Sequence, residues 1–222
     1  MTSSRNQILG NIRRGLQRDL LTGDALDQVR TRLREHPANT VPARSQLPQD
    51  QQIALFESMA NEAAAELIEL KTLEALPGTV AEFCRENGID QLVSASDPAL
   101  TALDWSGIDN LEITHRVAQA GDSASLTTSF CGIAETGTLM LLSGPHSPTT
   151  LNFLPDTHLV LLKQSQIVGA YEEAWARLRQ HSDAMPRTVN MITGPSRSAD
   201  IEQKLQMGAH GPKRLIILLL RD

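Results

Sequence analysis

Apolar residues recur at helical spacing near the start of the chain. The first such stripe consists of Ile8, Leu9, Ile12 and Leu16. A second helical segment follows over residues 25–33, and the prolines found from position 37 onwards prevent its continuation. We therefore predict that residues 1–48 form a helical arm that can clasp another subunit, and that residues 49–222 form one α/β domain. The alternative is that the two helices cover that same domain.

The rest of the pattern alternates helical segments with short apolar runs. Helical periodicity covers residues 51–70, 79–88, 171–181 and 198–205. The strand candidates are residues 89–96, 111–117, 138–144, 158–163, 188–194 and 214–220. Several of these strands are apolar at consecutive positions, which is typical of strands covered on both faces. The sequence therefore predicts an α/β fold with a mostly parallel sheet flanked by helices on both faces.

The composition narrows the classes of function. With 41% hydrophobic and 21% charged residues, the chain is typical of a globular protein. Its formal net charge of -6 gives no general attraction to nucleic acid or anionic lipid. No run reaches the roughly 20 apolar residues of a membrane span, and arginines interrupt the segment where a signal peptide needs an apolar core. We expect a cytoplasmic protein with no nucleic-acid partner and no membrane span.

The loop GIAETGT leads directly into a predicted strand and holds a carboxylate among small residues. Glu135 lies beside Thr136 and Gly137. A carboxylate on an exposed turn can act on a substrate. Free backbone N–H groups nearby can stabilise an oxyanion. The alternative is that Glu135 is a structural carboxylate that satisfies the turn.

Two more loops follow predicted strands. The loop SGPHSPTT begins with Ser143 and Gly144, and it can bind an oxyanion or simply reverse the chain. The loop TGPSRSAD precedes a predicted helix, whose N-terminus attracts anions, and Arg197 and Ser196 add to that capacity. The alternative is a capped helix start with Ser196 or Ser198 at the N-cap.

The spacing of histidines and cysteines does not indicate a metal site or a redox site. His115, His146, His158 and His210 show no HxH or HExxH spacing, so we predict no metal site. The two cysteines cannot hold a four-thiolate iron–sulfur cluster, and we expect no cofactor in this chain. Cys131 precedes the first loop, where a reactive thiol is the alternative to a buried, inert one.

Four segments occur in an order that is specific to one family. They are GIAETGTLMLLSG, LNFLPDTHLVLL, ITGPSRSADIE and MGAHGPKRLIILLL. On these segments the chain resembles the LUD domain family from about Gln51 onwards, and within it the single-domain lactate utilization protein C group. The resemblance implies a fold similar to the NagB/RpiA/CoA transferase group. It also implies a role in oxidizing L-lactate to pyruvate beside iron–sulfur partner subunits.

The same resemblance points to a site. The AETG turn is similar to the place where CoA transferases carry a catalytic glutamate, which makes Glu135 the catalytic candidate by analogy of fold. We expect the residues around it to line one substrate or anion pocket. They are Thr136, Gly137, Ser143, Gly144, Gly194, Ser196, Arg197 and His210. Several family members have an arginine in the loop after the SG motif, where this chain has Pro148, Thr149 and Thr150, so their arginine clamp is missing here.

Three hypotheses of function follow. The first is an accessory or substrate-handling subunit of a lactate-oxidizing complex, with a small anionic substrate and iron–sulfur partners. The second is an independent enzyme of the CoA transferase or isomerase type, with Glu135 as nucleophile or base. The third is a non-catalytic scaffold. We favour the first, because the chain has no second motif for a nucleotide, and we expect the arm to form a homo-oligomer.

Overall fold

The computed structural model describes residues 4–181, 184–199, 205–208 and 210–222. It divides into two units, Met1–Thr40 and Val41–Asp222. The sequence analysis placed the boundary near residue 48, but the segment after Thr40 belongs to the second unit. Its Ser45 is buried, and the Ser45 carbonyl accepts a hydrogen bond from Gln52 Nε2 at 3.5 Å.

The first unit contains the two helices expected of the arm, α1 (Ser4–Gly15) and α2 (Gly23–Glu35). Neither helix has a buried residue. Ile8, Ile12 and Leu16 are each at least 50% exposed, so the apolar stripe of α1 faces solvent. Exposed side chains of this size on one helical face are typical of a surface that binds another protein.

We predict that deleting residues 2–40 lowers the number of chains per particle, as measured by light scattering, because the α1 stripe then no longer joins two copies. The double substitution Ile8→Ser and Ile12→Ser should have the same effect without shortening the chain. Gln7→Ser, at an exposed polar position of α1, is the matched control and should leave the mass unchanged. An unaltered number of chains per particle after the deletion would show that the arm does not mediate self-association.

Among its described residues the second unit contains four α-helices and twelve strands. The helices are α3 (Gln49–Glu62), α4 (Leu76–Glu86), α5 (Pro98–Thr101) and α6 (Tyr171–His181). The strands are β1 (Glu66–Leu70), β2 (Gln91–Ser94), β3 (Glu112–Thr114), β4 (Ala124–Thr128), β5 (Cys131–Ile133), β6 (Thr138–Leu142), β7 (Thr157–Lys163), β8 (Ile167–Val168), β9 (Val189–Ile192), β10 (Arg197–Ala199), β11 (Leu205–Met207) and β12 (Arg214–Leu220). In the described part of the chain, no helix has the length and apolarity that crossing a membrane requires.

Six strands form one parallel sheet in the order β1, β12, β7, β4, β2, β3. Residues 215–220 of β12 are all buried, as expected for a strand covered on both faces. Helices α4 and α5 pack on one face of the sheet. Helix α3 and a second sheet pack on the other. The predicted α/β fold with a mostly parallel sheet is confirmed.

The second sheet has the order β8, β5, β6, β9, and it is antiparallel at the β5–β6 and β6–β9 pairs. Two strand candidates, residues 138–144 and 188–194, contribute β6 and β9 to this sheet and not to the parallel one. Helix α6 covers the outer face of the second sheet. Because β5 and β6 form a hairpin, the AETG turn lies at the end of that hairpin.

Two predicted helices are wrong in part. The helix predicted over residues 51–70 ends at Glu62, because Ala64 has a φ of 63° and the next segment pairs with β12 as β1. Residues 198–205 were also predicted as a helix. In the structure Ser198 and Ala199 lie in β10 and Leu205 lies in β11, while residues 200–204 lie outside the described residues.

A few buried polar side chains lie in the parallel sheet among otherwise apolar residues. His158 of β7 is fully buried, and its Nε2 lies 2.8 Å from the Thr127 hydroxyl. Its Nδ1 has no hydrogen-bond partner among the described residues. Burial lowers the pKa of His158 from 6.5 to about 3, because the apolar surroundings disfavour the charged ring. The imidazole is therefore neutral in the folded protein at physiological pH.

We predict that His158 makes the fold sensitive to acid. Between its ordinary pKa of 6.5 and the folded value of about 3, the unfolded chain binds a proton on His158 that the folded chain does not. The free energy of unfolding therefore falls as the pH falls, by at most about 1.4 kcal/mol per pH unit from this group. Denaturant unfolding at several pH values should show a steeper acid loss for the wild type than for His158→Gln. Equal slopes would contradict this assignment.

Candidate functional site

The AETG turn connects β5 to β6 and places Glu135 under the start of α6. The Glu135 side chain is only 6% exposed. Its Oε1 accepts a hydrogen bond from the backbone N–H of Tyr171 at 3.3 Å, and its own N–H donates to the Gly169 carbonyl at 3.1 Å. A carboxylate at a helix N-terminus satisfies a free N–H and complements the helix dipole. This geometry favours the structural alternative for Glu135.

A network of hydroxyl groups links the AETG turn to the TGPSR loop. The Tyr171 hydroxyl lies 3.0 Å from Thr136 Oγ1 and 2.9 Å from Thr138 Oγ1. Thr138 Oγ1 in turn lies 2.6 Å from Thr193 Oγ1, at the beginning of the TGPSR loop. The sequence analysis assigned no role to the Tyr171 hydroxyl or to Thr193, because only the fold brings these hydroxyls together.

The two loops also meet at the C-terminal end of α3. Gly137 has a φ of +64°, and a Cβ there would lie 2.3 Å from the backbone nitrogen of Ala60. Gly194 has a φ of +70°, and a Cβ there would lie 2.0 Å from the carbonyl oxygen of Ala63. The exposed Arg197 side chain donates to the same Ala63 carbonyl. Both glycines are therefore needed for close backbone packing against α3.

The TGPSR loop continues into the β10–β11 hairpin. Ser196 donates its backbone N–H to the Pro212 carbonyl at 2.8 Å, and its hydroxyl accepts from the His210 N–H at 3.3 Å. Ser196 is thus not the N-cap of a helix, and the helix N-terminus expected after it is absent at the described residues that follow. The physical reason is that residues 197–199 form backbone hydrogen bonds across the hairpin with β11.

Three predicted site residues share one pocket of about 180 Å³. We call it the loop pocket. Its lining includes Asn152, Thr193, Gly194, Ser196 and His210 together with apolar residues such as Met191 and Ile192. The Asn152 side chain is 2% exposed, and its Oδ1 has no hydrogen-bond partner among the described residues. Asn152 was missed because a single asparagine before an apolar residue carries no distinctive pattern.

Ser143 and Gly144 lie at the opposite end of β6 from the AETG turn. The Ser143 hydroxyl accepts from the Thr188 N–H at 2.9 Å, and Gly144 closes a turn with Ser147. A strand rises about 3.4 Å per residue, so the β6 strand separates Gly137 from Ser143 by roughly 20 Å. The expectation that all the predicted residues line one pocket is therefore wrong, because β6 carries Ser143 and Gly144 away from the others.

Both thiols are buried in apolar surroundings. Burial raises the pKa of Cys84 to about 11 and that of Cys131 to about 12. Since the thiolate is the reactive and metal-binding form, both residues are protonated and inert in the folded chain. Within the described ranges, no group of three or more histidine, cysteine or acidic side chains is arranged to hold a metal ion.

We predict that Gly137→Ala and Gly194→Ala each destabilise the protein by roughly 2 kcal/mol or more. A methyl group at either position would clash with the α3 backbone at a φ that non-glycine residues disfavour. Gly144→Ala is the matched control, because nothing lies within 4 Å of its Cβ position, and it should change stability by less than about 0.5 kcal/mol. Equal melting of all three variants in denaturant would refute the proposed packing.

Comparison with solved structures supports the fold. A crystal structure of a DUF162 family protein from Deinococcus radiodurans superposes with a TM-score of 0.58 at 20% sequence identity. The match covers 78% of this chain and 99% of that one. At this identity the likeness is one of fold alone.

Several curated proteins are similar in sequence, and two of them show the range of the similarity. An uncharacterized protein of Neisseria meningitidis is 41% identical over 97 residues, which cover 44% of this chain and 42% of that protein. A Geobacillus protein named lactate utilization protein C is 29% identical over 194 residues, which cover 78% of this chain and 80% of that protein. The family model described as the LUD domain matches residues 53–220, which include both loops and every strand of the two larger sheets. The chain belongs to the LUD domain family.

Proposed function

We propose that this protein is a cytoplasmic component of the bacterial system that oxidises L-lactate to pyruvate. The observation that carries the proposal is the likeness to the Geobacillus lactate utilization protein C, which extends over about four fifths of each chain. Membership of the LUD domain family is consistent with it. The family match covers residues 53–220, which lie within the second unit.

Iron–sulfur partner subunits complete the proposal. The chain has two cysteines, and burial raises the pKa of each thiol well above the physiological range. A cluster needs several deprotonated thiolates, which these side chains do not offer. This supports a division of labour in which the electrons of lactate pass to clusters in other subunits.

The geometry around Glu135 supports an accessory role over covalent catalysis by this residue. A nucleophile or base must reach its substrate, whereas Glu135 is buried and its carboxylate accepts a bond from the first N–H of α6. The loop pocket brings Gly194, Ser196 and His210 of the predicted site around one cavity. We propose that these three residues, with Arg197 at the edge of the loop, contact a small anion.

We predict that deleting the gene abolishes growth on L-lactate and leaves growth on pyruvate normal. The reason is that pyruvate enters metabolism after the proposed oxidation step. The full chain supplied from a plasmid should restore growth on L-lactate, and affinity purification of that chain should recover iron-containing proteins. Normal growth of the deletion strain on L-lactate would overturn the proposed function.

Glu135 is tested in the same strain. Glu135→Gln keeps an oxygen that accepts the Tyr171 N–H, so we predict normal melting and normal growth on L-lactate. Glu135→Ala removes that acceptor and should cost about 1 kcal/mol of stability, the usual effect of losing a helix cap. If Glu135→Gln melts normally but fails to grow on L-lactate, Glu135 is catalytic and the structural assignment is wrong.

A further inference from the structure

A cavity of about 340 Å³ lies at the carboxyl edge of the parallel sheet. Asp97 follows β2, Thr128 ends β4 and Lys163 ends β7, and these three strands are adjacent. Ligands of parallel sheets bind at this edge, and small-molecule sites usually measure about 300–1,000 Å³. We call this cavity the edge pocket. None of the site residues predicted from the sequence lines it.

The residues that line the edge pocket fall into an apolar set and a polar set, which we call its apolar wall and its polar wall. The apolar wall consists of Phe130, Leu142 and Leu161, and the Thr128 and Ser147 hydroxyls are among its polar groups. His181, the last residue of α6, also lines the pocket and packs edge-on against Phe130 with 5.3 Å between ring centroids. A ligand that fits both walls has a short apolar body and a polar end.

The only carboxylate among the residues that line this cavity is already hydrogen-bonded on both oxygens. Asp97 Oδ1 accepts from the Ala99 N–H at 2.9 Å, and Asp97 Oδ2 accepts from the Thr128 hydroxyl at 3.1 Å. These bonds hold the carboxylate against the start of α5 and the end of β4. Asp97 is therefore a fixed part of the pocket lining, and each of its oxygens already accepts a hydrogen bond from the protein.

Lys163 is the only lysine or arginine among the residues that line the edge pocket. Among the described residues it forms no salt bridge. Lys163 interacts electrostatically with Asp222, whose side chain accepts from the Ser165 N–H at 2.9 Å and from the Ser165 hydroxyl at 2.7 Å. A positive charge beside an apolar wall, partly removed from solvent, attracts an anion more strongly than an exposed lysine does.

We propose that the edge pocket binds a small monocarboxylate of the 2-hydroxy or 2-oxo acid class. Lys163 pairs with its carboxylate, the oxygen at C2 contacts the Ser147 hydroxyl, and the alkyl end packs on Leu142 and Phe130. This inference names the ligand class of the proposed function and rests on that function for the choice of L-lactate as the first probe. The site is distinct from the loop pocket.

Two other cavities fit this ligand less well. The loop pocket is about half the volume of the edge pocket, and no lysine lines it. A wider groove between α4 and residues 107–111 lies at the amino ends of β2 and β3, the edge of a parallel sheet where ligands seldom bind. The charge, the apolar wall and the position in the sheet coincide only at the edge pocket among the cavities described.

Calorimetric titration of the purified full chain with L-lactate tests the proposal. We expect binding to the wild type, at least about tenfold weaker binding to Lys163→Met, and unchanged binding to Lys71→Met, which removes the same charge from an exposed position. Methionine keeps the apolar stem of lysine, so folding should be preserved. Lactamide, which lacks the negative charge, should not bind. Propionate, which lacks the C2 oxygen, should bind more weakly than L-lactate.

Absence of binding of L-lactate and pyruvate to the wild type would overturn the edge-pocket proposal, and so would equal binding to Lys163→Met. Either result leaves the proposed function standing if the deletion strain still fails to grow on L-lactate. Conversely, normal growth of that strain, together with Lys163-dependent binding, would reject the proposed function and retain the edge pocket as a carboxylate site.

Discussion

The burial of β12 on both faces is the constraint on which the rest of the second unit depends. Its six apolar residues after Arg214 are all buried, and they alternate between the two sides of the parallel sheet. Burying side chains of this size stabilises the fold by about 1.5–3 kcal/mol each, so neither face can remain open to water. Helices α4 and α5 cover one face, while α3 and the second sheet cover the other.

Covering the second face of β12 also positions the two loops. Helix α3 packs directly on β12 and β7, and the ends of the β5–β6 hairpin and of β9 must reach α3 without a gap. Gly137 and Gly194 permit that approach, because each brings its backbone against the last turn of α3 at a positive φ. The Thr138–Thr193 hydrogen bond then joins the two loops. At the other end of the same layers, the ends of β4, β6 and β7 leave the edge pocket open.

The sequence predicted the parts of this fold whose hydrophobic pattern is strong. Strands β7 and β12 are continuous apolar runs, and α4 ends just before Gly88, which has a φ of 66°. Strand β4 was missed because its buried residues Ser125 and Thr127 are polar and interrupt the apolar pattern that would predict a strand. All of β1 was predicted as helix, since only pairing with β12 distinguishes the two structures.

The candidate site was less predictable for the same physical reason. Loop composition drew attention to Gly137, Gly194 and Ser196, but it could not show that β6 carries Ser143 away from them. The residues of the edge pocket come from several separate segments, and each is ordinary in its local sequence. Their proximity is a property of strand order, which a single sequence does not display.

The central claim is that the carboxyl edge of the parallel sheet, and not the loop pocket, is where this LUD domain protein binds L-lactate. Methyl NMR of the full chain during a titration with L-lactate tests it most directly, because each cavity carries its own methyl groups. The account predicts that the methyl resonances of Ala99, Leu142 and Leu161 shift, while those of Met191 and Ile192 beside the loop pocket do not. Shifts confined to Met191 and Ile192, or no shift at all, would contradict it.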